Sequence, residues 1–274
     1  MHLDQDIIDI LKIKASTKTV EDPQKRPKAT LPEQLPILGL SDIVIFPGMV
    51  APLLIESAPS SGLVDDVVSG NRLIGLVLQT TPDVEEPEPK DLHPYGCMAR
   101  VQKMVKQSNN SVRILIEGLK RIRLLDFKQT DPYLLASVEY FHEPAEASLE
   151  AKALVRSAKK LFEAILEKSP TLTDQVKSSN LNTEDPEKLS DLIGANLNLG
   201  LADHQKLLSA HVVTERLKIL LPLLKHELEL QSIGARIQKE VTASVSKSQR
   251  DYYLREQLRV IQRELGEDDS ASRE

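Results

Sequence analysis

The chain has 274 residues, 41% of them hydrophobic, and a net charge of −6 from 35 basic and 41 acidic side chains. Its length suggests two domains on the usual scale of ~150 residues each, with cores of aliphatic packing, since only 3% of residues are aromatic and none is tryptophan. The acidic balance argues against a general nucleic-acid binder, the single cysteine, Cys97, rules out an internal disulfide and fits a reducing, cytoplasmic setting, and no apolar run is long enough to span a membrane.

In chain order, residues 1–34 read as a flexible arm. Ile7, Ile8 and Leu11 could line a short helix, but Pro23, Pro27 and Pro32 break any continuation. Order begins at Leu35. Residues 35–40 and 43–46 are strand-like, and Phe46-Pro47-Gly48-Met49 places proline and glycine as a tight turn needs them. Residues 50–55 resume an extended run that Pro52 demotes to an edge or bulged strand. Residues 61–70 read as a short helix carrying Leu63, Val64, Val67 and Val68, and residues 72–79 as a buried strand. The proline-rich acidic stretch 81–94 reads as an exposed loop. From Gly96 the pattern turns to β, with alternation at 98–103 and strands at 112–117, 122–127 and 134–141, and with Asn109-Asn110 and Asp131-Pro132 as turns. Short strands at this spacing, with no helix between them, predict a compact antiparallel barrel or sandwich over 35–143.

At Pro144 the apolar period changes from two to 3.6, opening a helical bundle over 144–229. Ser148 caps a helix with Leu154, Ala158, Phe162 and Ile165 inside, and Asp185-Pro186 is an N-cap followed by proline at the first helical position. A shorter helix covers 202–211. Thr214 caps another, with Leu217, Leu220, Leu224 and Leu228 inside and Pro222 in its interior. A long polar helix then takes up 230–266, and 267–274 reads as a linker. Leu254, Leu258, Ile261 and Leu265 make one narrow stripe on that helix, and Ile237, Val241 and Val245 another. One small domain cannot bury so long and polar a helix. The first stripe is therefore the expected self-association element. The fold class is α+β, with a β domain, a bundle and a long carboxy-terminal helix.

Catalytic parts are missing. No G-x-x-x-x-G-K-[ST], G-x-G-x-x-G or G-x-S-x-G occurs, and the six histidines are scattered. No catalytic residue and no metal ligand is expected. Cys97, on a strand beside Met98, reads as a small core hydrophobe. The basic residues of the long helix alternate with acids as a solvated face does, so DNA binding by them has no support.

Three stretches carry a resemblance. LPILGLSDIVIFPGMVAPL at 35–53, RILIEGLKRIRLLDFKQTDPY at 113–133, with its EGL-x-R core, and KSQRDYYLREQLRVIQRELGE at 247–267 together resemble the amino-terminal region of ATP-dependent Lon proteases. The resemblance implies a small PUA-like β domain, a helical bundle and a long helix. It also implies recognition of unfolded or degron-tagged proteins and a place in a homohexamer. The family's AAA+ ATPase, with its ATP and Mg2+, and its Ser-Lys protease lie downstream and are not in these residues. The 274 residues are then expected to be the non-catalytic amino-terminal part of such a protease. The alternative is a stand-alone Lon-domain adaptor. The KSQRDYYLREQL helix argues against it, because in the family it leads into the ATPase.

A receptor for unfolded chains needs accessible apolar surface that tolerates many sequences. Pro47, Met49, Pro52 and Leu54, at the turn and the edge-like run after it, are the expected substrate-binding residues, Met49 with the competing role of a plug in the β core.

Overall fold

The computed structural model describes residues 31–81, 84, 86–107, 111–141, 148–168, 183 and 185–264, and of 246–248 the backbone alone. The expected arm, the Asn109-Asn110 turn, Leu265 and the terminal linker lie wholly or mostly outside the described residues. From Gln34 onward the chain forms one unit.

Six strands are present: β1 (Gln34–Leu40), β2 (Val50–Ile55), β3 (Leu73–Leu78), β4 (Tyr95–Lys106), β5 (Val112–Gln129) and β6 (Leu135–Tyr140). The order β2-β5-β4-β3-β1-β6, with β6 pairing back onto β5, closes the sheet into a barrel. β2 runs beside residues 112–117 of β5, and β6 takes the same edge of β5 further on. β2 thus lies at an edge, as Pro52 requires. One pairing departs from the expected antiparallel pattern, because β1 and β3 are parallel. A parallel pair needs a long crossover, which β2 and the helix α1 (Ala58–Ser69) supply.

Other boundaries also shift. Residues 112–117 and 122–127 are not two strands but parts of the single 18-residue β5. Helix α1 begins three residues before the expected start, because the Ser57 side chain caps it by accepting from the Ser60 amide. Residues 44–46 are buried and Ile43 partly so, yet they form no strand. Their alternation has another cause. Val44 and Phe46 point into the helical core, while Ile45 points into the barrel core. This segment is a seam between two cores, with a side chain for each in turn. In the loop after β3, expected to be exposed, Leu92 is buried and its backbone bridges Gln79.

The helical half holds α2 (Leu149–Lys168), α3 (Pro186–Asn196), α4 (Leu201–Ser209) and α5 (Val213–Glu264). The caps at Ser148 and Asp185 form as expected, each side chain accepting from a backbone amide of the first turn at 3.1 Å. The two helices expected either side of residue 230 are one continuous helix of 52 residues with Pro222 inside it. Val213, Leu217, Leu220 and Leu224 of α5 are buried against the bundle, and no described residue after Leu224 is.

A buried ion cluster joins the halves. Arg121 of β5 donates from Nη1 and Nη2 to the Asp191 carboxylate of α3 at 2.8 and 2.5 Å, and from Nε to the Leu208 carbonyl. Arg216, in the first turns of α5, donates to Asp191 Oδ1, to Ser190 Oγ and to the carbonyls of Ala210 and His211. All three charged side chains are at least 97% buried.

Candidate functional site: the outer face of the β2 edge

The site begins at a turn. Met49 N donates to the Phe46 carbonyl at 3.1 Å, and Gly48 sits at φ +80°. With proline before it, this is a type II turn, whose third position favours glycine. Gly48 N donates to the Gly118 carbonyl and Gly118 N to the Met49 carbonyl, both at 2.8 Å, which fixes the turn to β5. Gly118 has no room for a side chain, since a Cβ there would lie 2.1 Å from the Phe46 carbonyl oxygen. Glu117-Gly118-Leu119-Lys120-Arg121 therefore does two structural jobs. Its glycine admits the seam, and its arginine enters the ion cluster.

Along β2 exposure alternates strictly. Ala51, Leu53 and Ile55 face the barrel core, while Val50, Pro52 and Leu54 face out, Val50 45% and Leu54 52% exposed. The four residues singled out from the sequence do not share one surface. Pro52 and Leu54 lie on the outer face and Pro47 is half-buried in the turn. Met49, in phase with the inward residues, is half-buried and packs against both cores. The core-plug role expected of Met49 as an alternative matches this packing.

The register adds neighbours that the sequence reading missed. Leu54 pairs with Arg113, which pairs with Val105 on β4, and Pro52 pairs with Leu115, which pairs with Lys103. Val105 is 59% exposed and Leu115 partly so. The outer face thus carries the apolar side chains Val50, Pro52, Leu54, Leu115 and Val105, with Arg113 between Leu54 and Val105, Glu117 opposite Val50 and Lys103 beyond Leu115. Strict alternation in β2 was the available signal for Val50. Val105 and Leu115 depend on strand pairing, and the irregularity between Val101 and Lys103 shifts which β4 residues face out.

On α5, Leu254, Leu258 and Ile261 are each at least half exposed, and so are Ile237, Val241 and Val245, which form the second stripe nearer the bundle on a different face of the helix. Leu265, the fourth residue of the expected stripe, lies outside the described residues. Among the described residues no three His, Cys, Asp or Glu side chains gather as a metal site would need, and no helix is long and apolar enough to cross a membrane. Cys97 is fully buried, and burial pushes its thiol up to about 12, so it stays protonated and inert.

Comparison with known proteins agrees with this architecture. The family model described as the ATP-dependent protease La (LON) substrate-binding domain matches residues 34–226. The Lon protease of Dictyoglomus thermophilum is 37% identical over 239 residues, 87% of this chain and 30% of that protein. The Lon protease of Escherichia coli K12 is 34% identical over 238 residues, again 87% of this chain and 30% of the relative. Among solved structures, the N-terminal domain of a Mycobacterium avium complex Lon protease matches with a TM-score of 0.57 at 25% identity, covering 70% of this chain and 98% of that one. The chain therefore spans about 30% of the length of the curated relatives it matches. On these grounds it belongs to the family of Lon protease substrate-binding domains.

Proposed function

We propose that the chain is the substrate-recognition and assembly region of a cytoplasmic, ATP-dependent Lon serine protease that degrades misfolded and short-lived proteins. In this reading, unfolded or degron-bearing polypeptides bind the outer face of β2. ATP, Mg2+ and the Ser-Lys dyad belong to modules outside these 274 residues. The observation that carries the binding role is the set of apolar side chains at Val50, Pro52 and Leu54, held in water on a sheet edge. A soluble domain keeps such a patch exposed when something docks there.

Pro52 also shapes how docking occurs. Without an amide hydrogen it cannot donate to an added strand, and proline is a recognised block against edge-to-edge pairing. The surface thus offers side-chain contact rather than a template for sheet growth, which suits a receptor for chains that aggregate. The test is binding of reduced, carboxymethylated α-lactalbumin, a permanently unfolded protein. Val50→Asp with Leu54→Asp should weaken binding about tenfold or more while leaving the melting curve in place, because both positions are solvated. Unchanged binding by the double variant would remove this face from the reading. The chain alone should hydrolyse neither ATP nor casein, and measurable turnover by a clean preparation would overturn its non-catalytic assignment.

The assembly role rests on α5. Leu254, Leu258 and Ile261, with Leu265, form about two heptads, short for a stable isolated coiled coil. We infer weak pairing of the isolated chain, made firm in a hexamer by the high effective concentration that the ATPase modules impose.

A further inference from the structure

Beside the Phe46–Met49 turn lies a cavity of about 420 Å³. Its walls are Phe46 and Met49 from the seam and Ala195, Leu199 and Leu201 from α3, α4 and the link between them, with His204 beside Phe46. We propose that this cavity is a second recognition site, taking one large apolar side chain, phenylalanine or leucine, that is flanked by a basic residue in an extended polypeptide. The proposal rests on the reading of the chain as a polypeptide binder and adds where and how one side chain is read.

The volume lies within the range, about 300–1,000 Å³, of pockets that hold small organic groups. Apart from Asp42 and His204 the lining carries no titratable side chain. The His204 ring meets Phe46 edge-on, centroids 5.9 Å apart. Its Nε2 lies 3.2 Å from the Leu197 carbonyl, which can only accept, so the proton sits on Nε2. Burial disfavours the charged imidazolium, leaving a neutral, largely apolar wall. With no cation in the lining, an anion has no partner there, and one carboxylate beside an engaged imidazole is not a metal site. The exposed Asp42 carboxylate favours a cation next to the buried group.

Continuity favours a polypeptide over a free small molecule. Met49 lines the cavity, and the next residue, Val50, is on the outer face of β2. One extended chain can therefore lie along the edge and set a side chain beside the turn. Methionine at that corner can adapt its shape to different occupants.

Gly200 gives one block. It lines the cavity at φ −68° and ψ 156°, a conformation any residue adopts, and a Cβ there meets nothing within 4 Å. Gly200→Leu should fill the cavity at the cost of a poorer N-cap for α4, and Ala195→Leu should fill it from the α3 wall and leave that cap intact. The probes are fluorescent Gly-Ser peptides carrying one Lys-Phe-Lys, Lys-Ser-Lys or Glu-Phe-Glu unit, titrated by anisotropy against the full 274-residue chain. The expected order is Lys-Phe-Lys tightest, with Gly200→Leu or Ala195→Leu weakening it about tenfold or more. A benzophenone in place of the phenylalanine ring should cross-link to Met49. Equal binding of all three peptides, or unchanged binding by both filled variants with melting curves like the parent's, would overturn the site. If Val50→Asp with Leu54→Asp abolishes α-lactalbumin binding while both filled variants bind every probe normally, the outer face stands and the cavity falls. If the filled variants alone lose binding, the cavity stands and the outer face falls.

Discussion

The two ends of α5 obey opposite rules. Its first turns carry Leu217, Leu220 and Leu224, completely buried, and Arg216 in an ion cluster shared with β5 and α3. From residue 233 on, every large apolar side chain described is at least 40% exposed. One helix is thus core at its base and unpartnered surface at its tip. The base repays study as stability, the tip as assembly. The difference predicts that equally drastic substitutions will have unequal effects on folding.

The largest effect is expected at the cluster. Asp191→Ala leaves two buried guanidinium groups without their counter-charge, which typically costs about 3–5 kcal/mol. Thermal unfolding followed by far-ultraviolet dichroism should show the loss. Because β5, α3 and α5 share the cluster, barrel and bundle of the parent chain should melt in one step. Two separated transitions in the parent would break the claim that the halves are joined there.

Next comes the seam. Gly118→Ala puts a methyl carbon against a backbone oxygen that cannot swing aside, and overpacking of this kind costs about 1–3 kcal/mol. Met49→Asp should be destabilising by a similar amount, because the carboxylate would sit against both cores. A Met49→Asp chain with normal stability and lost substrate binding would instead make Met49 a surface contact.

Much of this was legible in the chain itself. Ser148, Asp185 and Pro186 announced their helix starts, because capping is local chemistry, whereas Thr214, expected as a cap, lies inside α5, which begins at Val213. Pro52 announced an edge strand. Residues 43–46 misled, since their apolar alternation looks the same whether the two faces meet a sheet and solvent or two separate cores. Arg121, Asp191 and Arg216 could not be linked, because each is an ordinary charged residue until the fold brings together positions 70 and 25 residues apart. The helical wall of the cavity was hidden for the same reason. Ala195 and Leu199 look like bundle core and meet the turn only through tertiary packing.

A smaller effect is expected from pH. Burial holds the His204 imidazole below its ordinary value of 6.5, and His93 shifts in the same direction for the same cause. As pH falls below 6.5 the unfolded chain takes up protons that the folded chain resists. This contribution is present above that pH and is lost as pH falls toward the folded values. The melting temperature should drop between about pH 7 and about pH 5, and less so in His204→Phe. An identical drop in the variant would exclude His204 as a source.

The smallest effect on folding should come from the tip. Leu258→Asp with Ile261→Asp should leave the melting curve within about 0.5 kcal/mol of the parent, as solvated positions usually do. Any dimer seen in analytical ultracentrifugation should become monomer. Equal association by the double variant would make the distal helix a tether, with the contacts elsewhere.

The length of α5 has a mechanical consequence. Beyond Leu228 it runs another 36 residues, roughly 54 Å at about 1.5 Å per residue. A lever of that length magnifies whatever happens at its pivot, so a tilt of about 10° at the base sweeps the tip through roughly 9 Å. The base of this lever is the buried part of α5, where Leu217, Leu220 and Leu224 pack in the bundle and Arg216 grips Asp191, which grips the strand that carries the β2 edge. A small change in how those apolar side chains and three buried charges sit would therefore re-aim the far end of the helix by many times its own size.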